Sequence, residues 1–249
     1  MRGHRVIGAA ALLAVLLGAA GAGAEDAKGA AKALADKSGY GWVSTPKDAG
    51  GGGAADARRT PGPTEGKTEK GGYTSVTYKM GDNTVEVLVK GDKAAVKAAD
   101  GWKSSDEIAA AATGGAGGGG QRDPSSFMVR RALGMKLPAV EAEELAGKAQ
   151  GLKEDGGAIV GDLPEDAVKE MLSRRGGRGG GGGGNNAPTI TGAKGSVKFW
   201  VKDGVLVKYE VSVQGTVGDR QTNRTTVTEI KDVGTTKVEV PEDAKKKLP

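Results

Sequence analysis

Gly195-Ser-Val-Lys-Phe-Trp-Val-Lys-Asp-Gly-Val-Leu-Val-Lys-Tyr-Glu-Val-Ser-Val213 alternates apolar and polar side chains on both sides of Asp203-Gly204, which is the pattern of a β-hairpin with one buried face. Its register follows from the length of the loop. A two-residue Asp203-Gly204 turn pairs Phe199 with Lys208 and Val197 with Glu210. A three-residue Lys202-Asp203-Gly204 loop, with Gly204 in the left-handed conformation, instead sets Val201 by Val205, Phe199 by Val207 and Val197 by Tyr209. The second register places apolar beside apolar on one face and is the one predicted, with Lys198 opposite Lys208 on a wet face and Trp200 and Leu206 paired beside the turn.

Working outward, Val76, Tyr78 and Met80 alternate before Gly81-Asp-Asn-Thr84, and Val85, Val87 and Val89 alternate after it. A four-residue loop sets Met80 opposite Val85 and Tyr78 opposite Val87. Gly91-Asp92 and Asp100-Gly101 bracket a third short strand over 94–98, which completes a meander that ends near Trp102. Tyr40-Gly-Trp-Val43 reads as an earlier strand, preceded by a short Ala- and Lys-rich helix. Helices are predicted from the Ser104/Glu107 capping box, from Asp123-Pro124 to Gly134, from Pro138 towards Gln150, and from Pro164 with Val168, Met171 and Leu172 on one stripe. Residues 152–162 read as a return to strand. Residues 224–233 and 236–240 supply two more strands, and Pro241-Glu-Asp opens a terminal helix.

The 45 glycines among 249 residues far exceed the usual ~7%. They gather in tracts that predict flexible excursions at about 46–72, 113–121 and 175–188. Lys and Arg number 36 against 31 Asp and Glu, without a basic stripe, so a nucleic-acid interface is not expected. Cysteine is absent and the single histidine is His4, which removes thiol chemistry, Cys/His metal sites and histidine acid/base catalysis from the expected repertoire.

Residues 1–24 begin with Arg2 and Arg5, continue through an apolar run from Val6 to Leu17, and end in Ala22-Gly-Ala24. This is the layout of a cleaved signal peptide, so residues 25–249 are expected as one exported domain in the periplasm or another extracytoplasmic space, and not as an integral membrane protein once processed.

The order of motifs resembles the LolA-like superfamily of bacterial lipoprotein carriers and the related LppX-like lipoproteins, and within it a group of exported planctomycete-type proteins. The resemblance is carried by Tyr40-Gly-Trp42, Lys90-Gly-Asp-Lys93, Asp100-Gly-Trp102, the intervening helices, the Val197 to Glu210 hairpin and Val238-Glu-Val-Pro241, and it spans Tyr40 to the end apart from the glycine tracts. It implies an α+β fold in which a strongly curved antiparallel sheet forms a half-barrel with short helices over its open side, and an apolar space between the layers that takes acyl chains. The lipobox cysteine of a lipid-anchored member is missing. By alternation Val76, Tyr78, Val85, Val87, Phe199, Val205, Val207 and Tyr209 face inward, which makes them the candidate ligand contacts and equally the residues of a solid core.

The function expected is thus an exported, non-enzymatic protein that binds a hydrophobic or amphiphilic ligand, a lipid or a lipoprotein acyl chain. The alternative is a cell-envelope protein with a filled core that engages other envelope proteins. No cofactor, metal or catalytic residue is expected: the carboxylates Glu86, Asp92, Glu210 and Glu229 read as solvated charges on strands and turns, and the serines at helix starts read as caps. The Arg174 to Gly179 segment has no interleaved aromatic and reads as a solvated loop. Trp42, Trp102 and Trp200 are expected to pack at strand ends.

Overall fold

The hairpin that decides the fold forms, but in neither expected register. In the computed structural model β9 (Ile190–Lys202) and β10 (Val205–Val217) turn through Asp203 (φ 52°) and Gly204 (φ 73°) alone, with Lys202 opposite Val205 and Val201 opposite Leu206. Two consecutive left-handed residues make the tight hairpin turn whose twist matches that of the strands. A bulge at Val207 then shifts the pairing, so that Trp200 faces Lys208, Phe199 faces Tyr209, Lys198 faces Glu210 and Val197 faces Val211. The bulge explains the correction. It brings Phe199 and Tyr209 together on the inner face, and it replaces the expected Lys198/Lys208 repulsion with an ion pair to Glu210 (3.6 Å) and a Lys208 ammonium 4.2 Å from the Trp200 ring centre. Gly204→Ala should therefore cost about 1 kcal/mol, because the substituted residue must remain left-handed, and urea denaturation would show it as a lower midpoint at unchanged slope.

The structure describes residues 22–48, 62–80, 83–114, 124–176 and 189–248. Most of the expected signal peptide, the glycine tracts, and Gly81 and Asp82 lie outside these residues. All eleven described strands belong to one antiparallel sheet, in the order β6-β5-β4-β3-β2-β1-β11-β10-β9-β8-β7, with β6 and β7 as its open edges. The remaining strands are β1 (Gly39–Asp48), β2 (Thr64–Glu69), β3 (Thr74–Met80), β4 (Asn83–Lys90), β5 (Lys93–Ala98), β6 (Gly101–Ser104), β7 (Gln150–Asp155), β8 (Ala158–Leu163) and β11 (Arg220–Lys231). The sheet is curved and unclosed, and with its helices it makes the expected α+β half-barrel.

Four helices cover the inner face: α1 (Ala22–Ala35), α3 (Pro124–Leu133), α4 (Pro138–Lys148) and α5 (Glu165–Gly176). Helix α2 (Ser105–Gly114) follows β6 directly. Its capping box is complete, with Ser104 N–H donating to Glu107 Oε2 (2.8 Å) and Glu107 N–H donating to Ser104 Oγ (3.2 Å). In α5, Val168 and Leu172 are buried and Met171 packs beside them, as the stripe predicts.

Other departures have local causes. The loop between β3 and β4 takes two residues instead of four, so Tyr78 faces Val85 and Val76 faces Val87; Asn83 and Thr84 thereby join the ladder. Each strand keeps its inward face because the register moved by an even step. The excursion expected over 46–72 contains β2, whose Thr-Glu-Gly-Lys-Thr-Glu sequence carries no apolar signal. Pro46 lies inside β1 rather than ending it. It pairs with Thr226 on one side and sits beyond the last β2 partner, Ser44, on the other, where a missing N–H breaks no ladder bond. Residues 152–162 form two strands that turn at Gly156-Gly157 (φ 57° and 78°).

The strand expected over 236–240 does not form. The chain leaves β11 at Asp232 (φ 50°) and Gly234 (φ 81°), and Thr236 Oγ1 donates back to Asp232 O (2.8 Å). Residues 236–248 then cross the outer face of β4 and β5. There Val238 and Val240, with Ala244 of the short helix α6 (Glu242–Lys245) and Leu248, cover Leu88 and Ala95.

Candidate functional site

The inner face is an apolar layer shared by sheet and helices. From the strands come Trp42, Val76, Tyr78, Val87, Val96, Phe199 and Tyr209, and from the helices Ala27, Ala31, Leu34, Met128, Val129, Leu145 and Val168. Of the candidate ligand contacts, Val76, Tyr78, Val87, Phe199 and Tyr209 are buried in this layer, while Val85 and Val205 pack against it partly buried. Val207 is the bulged residue and has no partner across the hairpin; Leu206 takes the core position that alternation assigned to its neighbours.

Two hydroxyls tie α4 to the sheet inside this layer. Tyr209 Oη donates to Glu141 Oε2 (2.5 Å), and the Ala139 N–H donates to Tyr40 Oη (3.3 Å). Burial, and next the Glu141 carboxylate, push the Tyr209 hydroxyl well above its ordinary pKa. Burial likewise pushes Tyr40 up to about 12. Pro138 itself brings no N–H to the start of α4, the Ala139 amide after it is the one that reaches the sheet, and the Glu141 amide bonds back to Leu137 O. Glu141 carried no sequence signal beyond an acid in a first helical turn, because its partner lies 68 residues away.

Tyr78 Oη is different. It is buried and has no hydrogen-bond partner, although Tyr78 is only 2% exposed and the Arg131 guanidinium of α3 lies 4.7 Å from its ring centre. Burial raises its pKa to about 12 against the opposing pull of Arg131, so at neutral pH it is a proton donor without an acceptor. A group left in this state costs about 1–3 kcal/mol.

At one end of the layer a cleft of about 500 Å³ opens between α1 and the tips of two hairpins, β7–β8 and β9–β10. The paired tight turns at Gly156-Gly157 and Asp203-Gly204 end these hairpins side by side, since β8 pairs with β9 through Ile159 and Phe199. The floor is apolar, from Ala30, Ala158, Ile159, Phe199 and Val201. The rim is acidic, from Glu25, Asp26, Glu154 and Asp203. The volume of the cleft falls in the roughly 300–1,000 Å³ range of small-molecule sites.

The remaining candidates fall where solvated charge is expected. Glu86 pairs with Lys97 (3.8 Å) and Glu210 with Lys198, and Asp92 sits exposed at the β4–β5 turn. Trp102 and Trp200 stand near turns and are partly exposed, but Trp42 lies within the sheet, buried, with its ring over Gly66. No helix among the described residues is long and apolar enough to cross a membrane.

No family model and no curated protein matches the sequence. Among solved structures the chain is similar to the Mycobacterium tuberculosis lipoprotein LppX, at 15% identity over 87% of this chain and 97% of that one, with a TM-score of 0.44. It is also similar to LprF from Mycobacterium bovis, at 12% identity over 90% of this chain and 97% of that one, with a TM-score of 0.46.

Proposed function

We propose that this chain is exported and binds a hydrophobic or amphiphilic ligand between sheet and helices, as a carrier rather than an enzyme. The observation that carries this reading is the cleft at the α1 end, which is lined by the core residues Ile159 and Phe199 together with the partly exposed Val201, so that the apolar layer lies immediately beneath its mouth. Export rests on the signal-like segment 1–24. Residues 25–249 would then act as one half-barrel unit, with Phe199, Val205 and Tyr209 on the cleft side of the layer and Val76, Tyr78, Val85 and Val87 on the far side.

The test is native mass spectrometry of the purified mature protein for co-purified lipid, followed by titration with a fluorescent acyl probe. Gly29→Trp supplies the control. Gly29 lines the cleft with open space where a side chain would go, so an indole there should close the mouth without disturbing the fold and weaken the probe about tenfold or more at unchanged Tm. A protein that is empty and ignores the probe would favour the second reading, a cell-envelope interaction protein. That reading draws on the packing of the layer, in which Tyr78, Tyr209 and Phe199 are among the largest fully buried side chains.

A further inference from the structure

The unmatched Tyr78 hydroxyl lies on β3, in the half of the sheet away from the α1 cleft, beneath α3. Val76 precedes it on the same face, Val85 is its partner on β4, and Thr64, its partner on β2, makes no hydrogen bond to it. From above it is covered by α3, which brings Met128 and Val129 to the layer and the Arg131 guanidinium over the ring. Nothing in these surroundings accepts the proton. A buried polar group without a partner is the exception in folded proteins and points to a missing acceptor.

We infer that Tyr78 and Arg131 form the seat for the anionic head of an amphiphile whose apolar chain lies between α3 and strands β3 and β4. The inference rests on the proposed carrier reading and adds the chemical class of the ligand. A neutral O–H donor beside a fixed cation selects an oxygen acceptor that bears negative charge, because the charge strengthens the hydrogen bond and meets the guanidinium as well. A carboxylate and a phosphate both satisfy this. Around the head, Val76, Val87, Met128 and Val129 supply the apolar surface that an acyl chain requires. The α1 cleft has the opposite preference, since Glu25, Asp26, Glu154 and Asp203 repel an anion at its mouth. An anionic amphiphile therefore has one end of the layer that rejects its head and one that holds it.

Displacement of a neutral fluorescent acyl probe separates these statements. Oleate, oleoyl lysophosphatidate and oleyl alcohol share a chain and differ in the head. The wild-type protein should bind one or both anions about tenfold or more tightly than the alcohol, and the anion preferred identifies the head as carboxylate or phosphate. Tyr78→Phe should erase that preference by weakening the anions far more than the alcohol, whose hydroxyl is the poorer acceptor, and Arg131→Gln should reduce it and weaken its salt dependence. Tyr78→Phe removes only the unmatched oxygen, so thermal unfolding should show a fold at least as stable as the wild type. Equal affinity for all three compounds, or a preference that survives in Tyr78→Phe, overturns the head-group seat while the carrier reading stands. Failure of every acyl compound to bind overturns both.

Discussion

Gly66→Ala should be among the most damaging single-methyl additions in this protein. Gly66 lies on β2 between Trp42 of β1 and Val76 of β3, and an added Cβ would fall 2.1 Å from Trp42 Cζ2, 2.4 Å from Cη2 and 2.5 Å from Cε2. The indole cannot swing clear. Trp42 is 3% exposed and its ring centre is 6.0 Å from that of Tyr40, so it is held on more than one side. Overpacking of this kind costs about 1–3 kcal/mol and occasionally more. With three ring atoms inside contact distance, the upper end or beyond is expected, against a total stability of about 5–15 kcal/mol. Urea denaturation measures it. The cause is checked in the Trp42→Leu background, where the methyl group has room: there Gly66→Ala should cost less than about 1 kcal/mol, a strongly non-additive cycle. A Gly66→Ala protein within about 0.5 kcal/mol of the wild type would mean that the indole does not lie over β2.

The second large effect is alkaline unfolding. Three of the four tyrosines are buried with raised pKa values: Tyr40 and Tyr78 at about 12, chiefly through burial, and Tyr209 well above its ordinary value for the same reason and through Glu141. The unfolded chain releases these protons near pH 10. The native state retains them, so their contribution to stability is intact below pH 10 and is lost as the pH rises from 10 towards 12. Each tyrosine gives a slope of about 1.4 kcal/mol per pH unit, and the three together about 4. Such a slope removes a typical folding free energy within about two pH units, so the protein should unfold cooperatively before pH 12. Circular dichroism and tyrosinate absorbance, followed together, should show the buried tyrosines ionising in the same transition that destroys the fold. Tyr209→Phe should make that transition shallower by about a third. Tyrosinate absorbance equivalent to two or more of the four tyrosines that rises with structure intact would contradict the burial of these rings.

Much of this fold was legible in the chain because its signals are local. Alternation located the inner faces of β3, β4 and β9, Ser104 and Glu107 marked the start of α2, and Pro124, Pro138 and Pro164 marked the helices that follow. What escaped was set by long-range partners. β2 is polar in sequence because its inward positions are occupied by Thr64, Thr68 and Gly66, the last one emptied to make space for an indole from a strand more than twenty residues earlier. The hairpin bulge depends on which register lets Phe199 meet Tyr209 and Lys198 meet Glu210, a choice of cross-strand contacts that counting loop residues does not decide. The cleft was invisible for the same reason: α1, the β7–β8 turn and the β9–β10 turn meet only in three dimensions. Neither did any pattern in the sequence single out Tyr78 from the other inward residues, since an unmatched hydroxyl is defined by what surrounds it.

The strand order has a kinetic meaning. Strands β1 to β6 follow one another outward to one edge, and β11 back to β7 do the same to the other, so nearly every neighbour in the sheet is also a neighbour in sequence. The exception is the join between β1 and β11, where Gly41 meets Lys231 and Asp48 meets Arg224. Each half can assemble from strands that are consecutive in sequence, whereas the join must bring together strands about 180 residues apart. It is therefore the pairing expected to form last, and until it zips, both halves expose the edge of a central strand. If the chain crosses a membrane unfolded, amino terminus first, the β11-facing edge of β1 stays open for as long as β11 is still in transit, which makes this seam the place where a folding helper or a stray strand would act.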